Sequence, residues 1–209
     1  MPNYCSNVAT FRHENPEMIR RLVDGYASDG LFAEFHPIPD RLVSTMAGSY
    51  PSADPRQAEL EQRERENIAE FGFKNWYDWA VSNWGTKWDV TQENNGDAEM
   101  SDDQLEVRIS FDTAWSPPVA FYEELERQGF KIDAFYHEPG MAFCGHYQDG
   151  FDDYHEIPST ADLAELAIPA EIDEVFAIVE SMAMWEEDSD SGMGTQANVN
   201  EDTNQESKV

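Results

Sequence analysis

The sequence predicts an α+β protein with a ferredoxin-like domain over residues 1–150, built on a split β-α-β antiparallel sheet, with added helices and an acidic C-terminal extension. Three observations predict this class. Segments in which apolar and polar residues alternate, as in half-buried strands, are interspersed with segments of helical spacing. Capping residues followed by proline mark helix starts. An apolar content of 40% is large enough for a hydrophobic core.

The N-terminal part is predicted to contain a strand, a helix and an extended segment. Residues 4–11 form the predicted strand. Asn15 can cap a helix and Pro16 suits its first turn, so a helix is expected to run to about Tyr26. Residues 30–39 end in a proline-rich stretch and are predicted to be a short edge strand or extended segment.

A helical insertion is predicted at about residues 53–85. Its first part, residues 53–70, is rich in Gln, Glu, Arg and Ala, which suits an exposed helix with charge pairs such as Glu59 with Arg63. Its second part, residues 71–84, carries aromatic side chains at helical spacing. We therefore expect a second helix that is buried on one side.

The rest of the domain is predicted to supply four strands and one helix. Ser116 and Pro117 indicate the start of the helix, and Gly129 indicates its end. The order of strands and helices is that of a split β-α-β fold, with a hairpin formed by the last two strands. The four predicted strands are residues 86–92, 104–113, 130–137 and 141–148.

The C-terminal part is predicted to be an acidic helical extension, residues 151–185, that packs on the domain. Ser159 and Thr160 can cap a first short helix, and Pro169 can open a second. Residues 186–209 are predicted to be a disordered acidic tail, because so few apolar residues cannot offset the entropy of ordering.

The charge is the most unusual property of the sequence. Its formal net charge is -30, from 43 Asp and Glu against 13 Lys and Arg. Residues 132–207 contain 19 Asp or Glu and no Lys or Arg. A chain of this length has a diameter of about 43 Å, and B-DNA of that length carries about 25 charges. Such a protein is expected to repel nucleic acid and anionic lipid and to attract basic protein surfaces. High acidity also serves solubility, so charge alone does not decide between these roles.

The sequence also indicates the cellular compartment and the redox state of the two cysteines. No apolar run approaches the roughly 18 residues of a membrane-spanning helix, and the N-terminus does not resemble a signal peptide. We therefore expect the cytoplasm of the host cell. Cys5 and Cys144 lie far apart in the sequence, which excludes a disulfide framework and predicts two reduced thiols.

Several groups of residues are candidate sites of chemistry. His137, Cys144, His146 and His155 are the best candidate metal ligands, but they lack the close ligand pairs of zinc sites. Cys144 with His137 or His146 lacks the third group of a nucleophilic site. Asp89 and Asp112 are better explained as residues whose hydrogen bonds order loops than as acid–base catalysts or cation ligands. We therefore predict no catalytic residue, no metal and no cofactor.

A row of tryptophans suggests base stacking on a sheet as an alternative function. Stacking modules also need a basic surface, for which Lys74, Lys87 and Arg108 are the available residues. Because the net charge opposes nucleic-acid binding, core packing is the better explanation of the tryptophans. They are Trp76, Trp79, Trp84, Trp88 and Trp115.

Four segments, in order, resemble the YubB-like family of ferredoxin-like proteins of plasmids and bacteriophages, over roughly residues 1–150. The resemblance implies a ferredoxin-like fold and a mobile-element setting, and it brings no catalytic residues. The segments are MPNYCSN (1–7), NWGTKWD (83–89), FDTAWSPP (111–118) and YHEPGMAFCG (136–145).

Charge and family resemblance together favour an acidic interaction protein that imitates DNA and inhibits a host nucleic-acid-binding defence protein, as in anti-restriction or anti-CRISPR activity. A single-stranded nucleic-acid-binding accessory protein and a small enzyme using Asp89 with Asp112, or Cys144 with His146, are the alternatives. The predicted partner-binding residues are Asp149, Asp152, Asp153, Glu156, Glu171, Asp173, Glu174, Glu186, Glu187 and Asp188.

Overall fold

The computed structural model describes residues 3–28 and 30–193. It confirms the α+β class. The chain divides into two compact units, Met1–Glu156 and Ile157–Val209. In chain order the first unit contains β1 (Tyr4–Arg12), α1 (Pro16–Ala27), α2 (Leu31–Phe35), α3 (Asp40–Val43), α4 (Pro55–Phe71), α5 (Trp76–Asn83), β2 (Glu99–Met100), β3 (Glu106–Ala114), α6 (Val119–Arg127), β4 (Lys131–Glu138), β5 (Phe143–Gln148) and β6 (Phe151–Glu156).

The six strands form one antiparallel sheet in the order β2-β3-β1-β4-β5-β6. Strand β1 pairs with β3 on one side and with β4 on the other. Because both neighbours are antiparallel to β1, they run parallel to each other, and α6 connects them. The hairpins β4–β5 and β5–β6 then extend the sheet to its β6 edge.

The hydrophobic core lies on one face of this sheet, under α1, α2, α5 and α6. Alternate residues of β1 and β3 point into it, as the period of two in a strand requires. The ring of Phe32 in α2 is central, since it contacts the rings of Trp84, Phe111 and Phe121. Further core side chains include Phe11, Ile19, Leu22, Trp79, Val107, Ile109 and Leu125.

The sequence signals for the helices α1, α4 and α5 are confirmed. Asn15 accepts a hydrogen bond from the backbone N–H of Glu17, so it caps α1 as predicted. Helix α4 matches the predicted exposed helix closely, with Asp54 as its cap. Helix α5 is shorter than predicted because Asn75 caps it just before Trp76.

Two predicted strands are wrong. Residues 30–39 contain the helix α2, and residues 86–92 contain no strand. One side chain accounts for both differences. The carboxylate of Asp89 accepts the N–H groups of Phe32 and Ala33, which satisfies the first turn of α2, and also that of Val90. This local bonding takes the place of a strand ladder.

Two further predictions need correction. Ser116 does not cap α6, because Pro118 precedes the helix and the Ser116 hydroxyl donates instead to the carbonyl oxygen of Gly85, at 2.6 Å. Residues 151–156, predicted to begin the helical extension, form strand β6, which pairs with β5 over its whole length. The sheet unit therefore ends at Glu156.

The second unit is helical. It contains α7 (Ala161–Ala167), α8 (Ala170–Phe176) and α9 (Ile178–Met193). Helix α9 includes residues 186–193 of the predicted disordered tail, and the remaining tail residues, 194–209, lie outside the described part of the chain. None of the described helices is both long and apolar enough to cross a membrane.

Candidate partner-binding site

The four motif segments that resemble the YubB-like family come together at one end of the sheet. Strand β1 begins there at Tyr4, opposite Ala114 at the end of β3. The hydroxyl of Thr86 donates to the Ala114 carbonyl oxygen at 3.0 Å, and the Trp115 N–H donates to the Asn3 carbonyl oxygen at 2.9 Å. We call this region, formed by residues 3–7, 83–89, 111–118 and 136–145, the motif end.

Backbone geometry at the motif end is unusual. Trp115 has φ of 71°, a left-handed conformation that a bulky side chain rarely adopts. Gly85 has φ of 87°, and a Cβ there would lie 3.1 Å from both the Pro117 carbonyl oxygen and the Val119 nitrogen. Residues held in such conformations cost free energy and are concentrated at functional sites. The backbone of Trp115 therefore marks the motif end as a candidate site, whereas glycine adopts the Gly85 conformation without strain.

A cavity of about 600 Å³ opens at the motif end. Three motif segments line it, together with the start of α6 and two residues of β6. Two carboxylates, Glu123 and Asp152, lie among walls that are otherwise mainly apolar or aromatic, and we call this cavity the β6 groove. Its lining is Gly85, Trp115, Ser116, Pro117, Val119, Ala120, Glu123, Tyr136, Met141, Phe143, Asp152 and Tyr154.

One face of the sheet forms the floor of the β6 groove. Tyr136, Gly145 and Tyr154 are paired across β4, β5 and β6, so their side-chain positions share this face. Tyr136 is buried, and its hydroxyl donates to Asp152 Oδ1 at 2.7 Å. A Cβ at Gly145 would lie 2.2 Å from that hydroxyl oxygen. Only glycine therefore leaves space for the tyrosine.

The pKa values of Tyr136 and Asp152 are both raised, chiefly because the two groups are buried. Burial raises the pKa of the Tyr136 phenol, and the neighbouring Asp152 carboxylate raises it further. Burial also raises the pKa of Asp152, although the hydrogen bond from Tyr136 opposes this. Asp152 is thus a carboxylate whose charge lacks full solvation, which a cation in the groove would relieve.

The four predicted acidic residues of the sheet unit do not share one face. Asp149 lies in the turn between β5 and β6, while Asp152 and Glu156 lie on the groove side of β6. Asp153 lies on the opposite side, where its Oδ2 is 3.1 Å from Nε2 of His155. They nevertheless border the same edge, because β6 is the last strand in the sheet order.

The predicted acidic residues of the helical unit fall into two groups. Asp173 and Glu186 have structural roles, since they accept the N–H groups of Val179 and Ala161, respectively, both at 2.9 Å. The others are exposed on α8 and α9. These exposed residues are Glu171, Glu174, Glu187 and Asp188.

Most arginines of the sheet unit are neutralised by neighbouring carboxylates. Arg41, for example, bonds both Glu66, at 2.5 Å, and Glu70, at 2.8 Å. Such pairing leaves little positive charge to balance the remaining carboxylates. The other paired arginines are Arg12, Arg20, Arg21, Arg56 and Arg127.

The tryptophans weighed for base stacking do not lie on the sheet strands. Trp79 and Trp84 are buried in the core, as predicted. Lys87, however, places its ammonium 4.3 Å from the ring centroid of Trp88 and 5.2 Å from that of Trp115. This is a cation–π cluster, and Trp88 is 42% exposed.

The other candidate sites have different geometries. Cys144 is paired across the strands with both His137 and His155, but in the described part of the chain no three His, Cys, Asp or Glu side chains are arranged to hold a metal. Cys5 and Cys144 are buried and form no disulfide with each other. Asp112 accepts a hydrogen bond from the Ser6 hydroxyl at 2.8 Å.

Comparison with known proteins adds little. No protein-family model matches this chain, and no curated protein matches it. One similar solved structure is the crystal structure of protein api92 from Yersinia pseudotuberculosis, of the DUF1281 family model. It is 12% identical, covers 76% of this chain and 99% of its own, and superposes with a TM-score of 0.36. A score this low carries no inference.

The sequence interpretation identified the motif segments but not the groove between them. Tyr136, Phe143 and Gly145 belong to a motif segment that predicts no role for them, and the sequence gives no signal for Glu123 or Tyr154. A usable signal was the cross-strand pattern of an aromatic residue opposite glycine, which packs the ring over the glycine. The position of Glu123 depends on tertiary structure alone.

Proposed function

We propose that this chain is an acidic interaction protein of a phage or plasmid, acting in the host cytoplasm, that binds the basic surface of a host nucleic-acid-binding protein. In this proposal it is a DNA mimic that inhibits a defence system, with anti-restriction or anti-CRISPR activity. The observation that carries it is the β6 edge: Asp149, Asp152, Asp153 and Glu156 border the last strand of the sheet, in a stretch without Lys or Arg.

Exposed aromatic side chains at the same edge support a protein partner. Phe151 is 67% exposed and Tyr154 is 52% exposed, on opposite faces of β6. Aromatic residues inside a charged rim are typical of protein–protein interfaces, where they supply buried contact area. Carboxylates around them would steer a basic partner and select against acidic ones.

The finer fold assignment belongs to the same proposal. We propose a ferredoxin-like core made of β1, α1, β2, β3, α6 and β4, with β5 and β6 as additions. The strand order supports it, since β1 lies between β3 and β4, and the short β2 occupies the edge beyond β3. The mobile-element setting rests on the resemblance of the motif segments to the YubB-like family.

Neutralising the β6 edge is expected to weaken partner binding strongly. In a variant with Asp149→Asn, Asp152→Asn, Asp153→Asn and Glu156→Gln, capture of the partner from a bacterial lysate should fall about tenfold or more at low salt. The wild-type protein should release the same partner at high salt or when duplex DNA is added. The partner, identified by mass spectrometry, should be a DNA- or RNA-binding protein.

A matched variant controls for net charge. Glu14→Gln, Asp24→Asn, Glu59→Gln and Asp102→Asn remove the same four charges from exposed positions without a described ion pair. This variant should capture the partner as the wild type does. Equal capture by both four-site variants, or a partner that binds no nucleic acid, would refute the proposal.

A second candidate function is single-stranded nucleic-acid binding at the Lys87 cluster, favoured by the exposed Trp88 ring beside a lysine. It predicts that labelled single-stranded DNA or RNA shifts at low salt and that Lys87→Gln together with Trp88→Leu removes the shift. Absence of any shift for the wild-type protein eliminates this candidate.

A further inference from the structure

We propose that the β6 groove is a receptor for one arginine side chain of the basic partner, which stacks on the exposed aromatic surface of the groove and pairs with its two carboxylates. This inference rests on the proposed function and assigns the anchor point within it. The groove lies entirely in the sheet unit.

The charges of the groove favour a cation. Asp152 and Glu123 are the two carboxyl side chains of its lining, and among the residues that the structure describes no Lys, Arg or His lines it. In the described part of the chain neither carboxylate pairs with a cation. Tyr136 bonds only Oδ1 of Asp152, which leaves Oδ2 for a partner. The groove therefore offers two carboxylates that lack a counter-charge.

The walls favour arginine over lysine. The rings of Phe143 and Tyr154 pack against each other, with their centroids 5.4 Å apart, and Tyr154 is half exposed, so the groove offers aromatic surface on which a cation can stack. A guanidinium is planar, stacks on aromatic rings and bonds a carboxylate through two N–H groups, whereas the more strongly hydrated ammonium of lysine does neither as well. Pro117 and Met141 can cover the methylene stem.

The size of the groove agrees with a side chain delivered by a protein. A cavity of about 600 Å³ lies within the usual range for ligand sites and exceeds the volume of one arginine side chain. The additional space can receive the residues next to the arginine in the partner chain.

Fluorescent octa-arginine and octa-lysine peptides test this inference. The wild-type protein should bind octa-arginine more tightly than octa-lysine in fluorescence anisotropy at low salt. Asp152→Asn with Glu123→Gln should weaken octa-arginine binding about tenfold, which is the effect of losing one charge-assisted contact of about 1.4 kcal/mol. Asparagine keeps an acceptor for the Tyr136 hydroxyl, so the fold should persist.

Two control variants distinguish binding in the β6 groove from attraction to the overall negative charge of the protein. Glu14→Gln with Asp102→Asn removes the same charge elsewhere and should leave the preference for arginine unchanged. Tyr154→Leu keeps the charge but removes an aromatic wall, so it should reduce the ratio of the two affinities.

The possible outcomes distinguish failure of the arginine receptor from failure of the proposed function. Equal binding of both peptides, or equal losses in the groove and control variants, would overturn the arginine receptor and leave the acidic interaction surface standing. Failure of the wild-type protein to bind either peptide at low salt would overturn both.

Discussion

Replacing Gly145 with alanine is expected to lower the free energy of unfolding by about 3 kcal/mol. The added methyl group would lie 2.2 Å from the hydroxyl oxygen of Tyr136 and 2.8 Å from the backbone oxygen of Asp153. Neither atom can withdraw cheaply, because Tyr136 is buried and Asp153 is held in β6. Urea denaturation followed by tryptophan fluorescence measures the change.

Gly48→Ala provides the matched control for this substitution. A Cβ at Gly48 would have only the Met46 methyl group within contact distance, at 4.0 Å. Its unfolding free energy should remain within about 0.5 kcal/mol of the wild-type value. Equal stability of the Gly145 and Gly48 variants would contradict the packing of Tyr136 against β5.

Asp89→Ala is expected to cost about 3 kcal/mol of stability, through a different mechanism. It removes the acceptor of three backbone N–H groups, those of Phe32, Ala33 and Val90. Buried donors without an acceptor cost about 1–3 kcal/mol each, and rearrangement or water recovers part of the loss. Asp89→Asn, which keeps one side-chain oxygen, should cost less.

Asp112→Ala separates structural from chemical roles of the two aspartates. Asp112 is exposed and accepts a hydrogen bond from the Ser6 hydroxyl, so its removal should cost less than about 1 kcal/mol. If instead both variants were as stable as the wild type, the capping role of Asp89 would be wrong. A joint catalytic role of Asp89 and Asp112 would then again be a candidate function.

Local sequence signals were sufficient to predict the helices whose starts or compositions are distinctive and the strand whose apolar residues alternate regularly. Asn15 followed by Pro16 marks α1, and the run rich in Gln, Glu and Arg forms the exposed helix α4 that its composition favours. Strand β3 alternates regularly because one of its faces meets the core. In these places propensity, pattern and tertiary structure agree.

Long-range contacts explain the elements that were missed. Residues 31–35 form a helix because Asp89, more than fifty positions away, satisfies their first turn. Strand β6 carries polar and aromatic residues on both of its faces, so it lacks the apolar face that identifies a strand in sequence. The segment is a strand because its backbone pairs with β5.

The site was predicted only in part, for a related reason. Charge identified the acidic stretch from sequence, but the pleat of β6 divides Asp152 from Asp153, and two acids of the helical unit serve as backbone acceptors. The β6 groove required the meeting of segments that are separated by up to about seventy residues in sequence. Such proximity follows from strand order and not from composition.

The salt dependence of octa-lysine binding tests the claim that the β6 edge is an electrostatic docking surface. For the wild-type protein, and for the control variant at Glu14, Asp24, Glu59 and Asp102, the affinity should fall about tenfold or more between low and physiological salt. The variant neutralised at Asp149, Asp152, Asp153 and Glu156 should bind weakly with a shallow slope. Equal slopes and affinities for the two variants would show that the carboxylates serve solvation alone, and would contradict the proposed function.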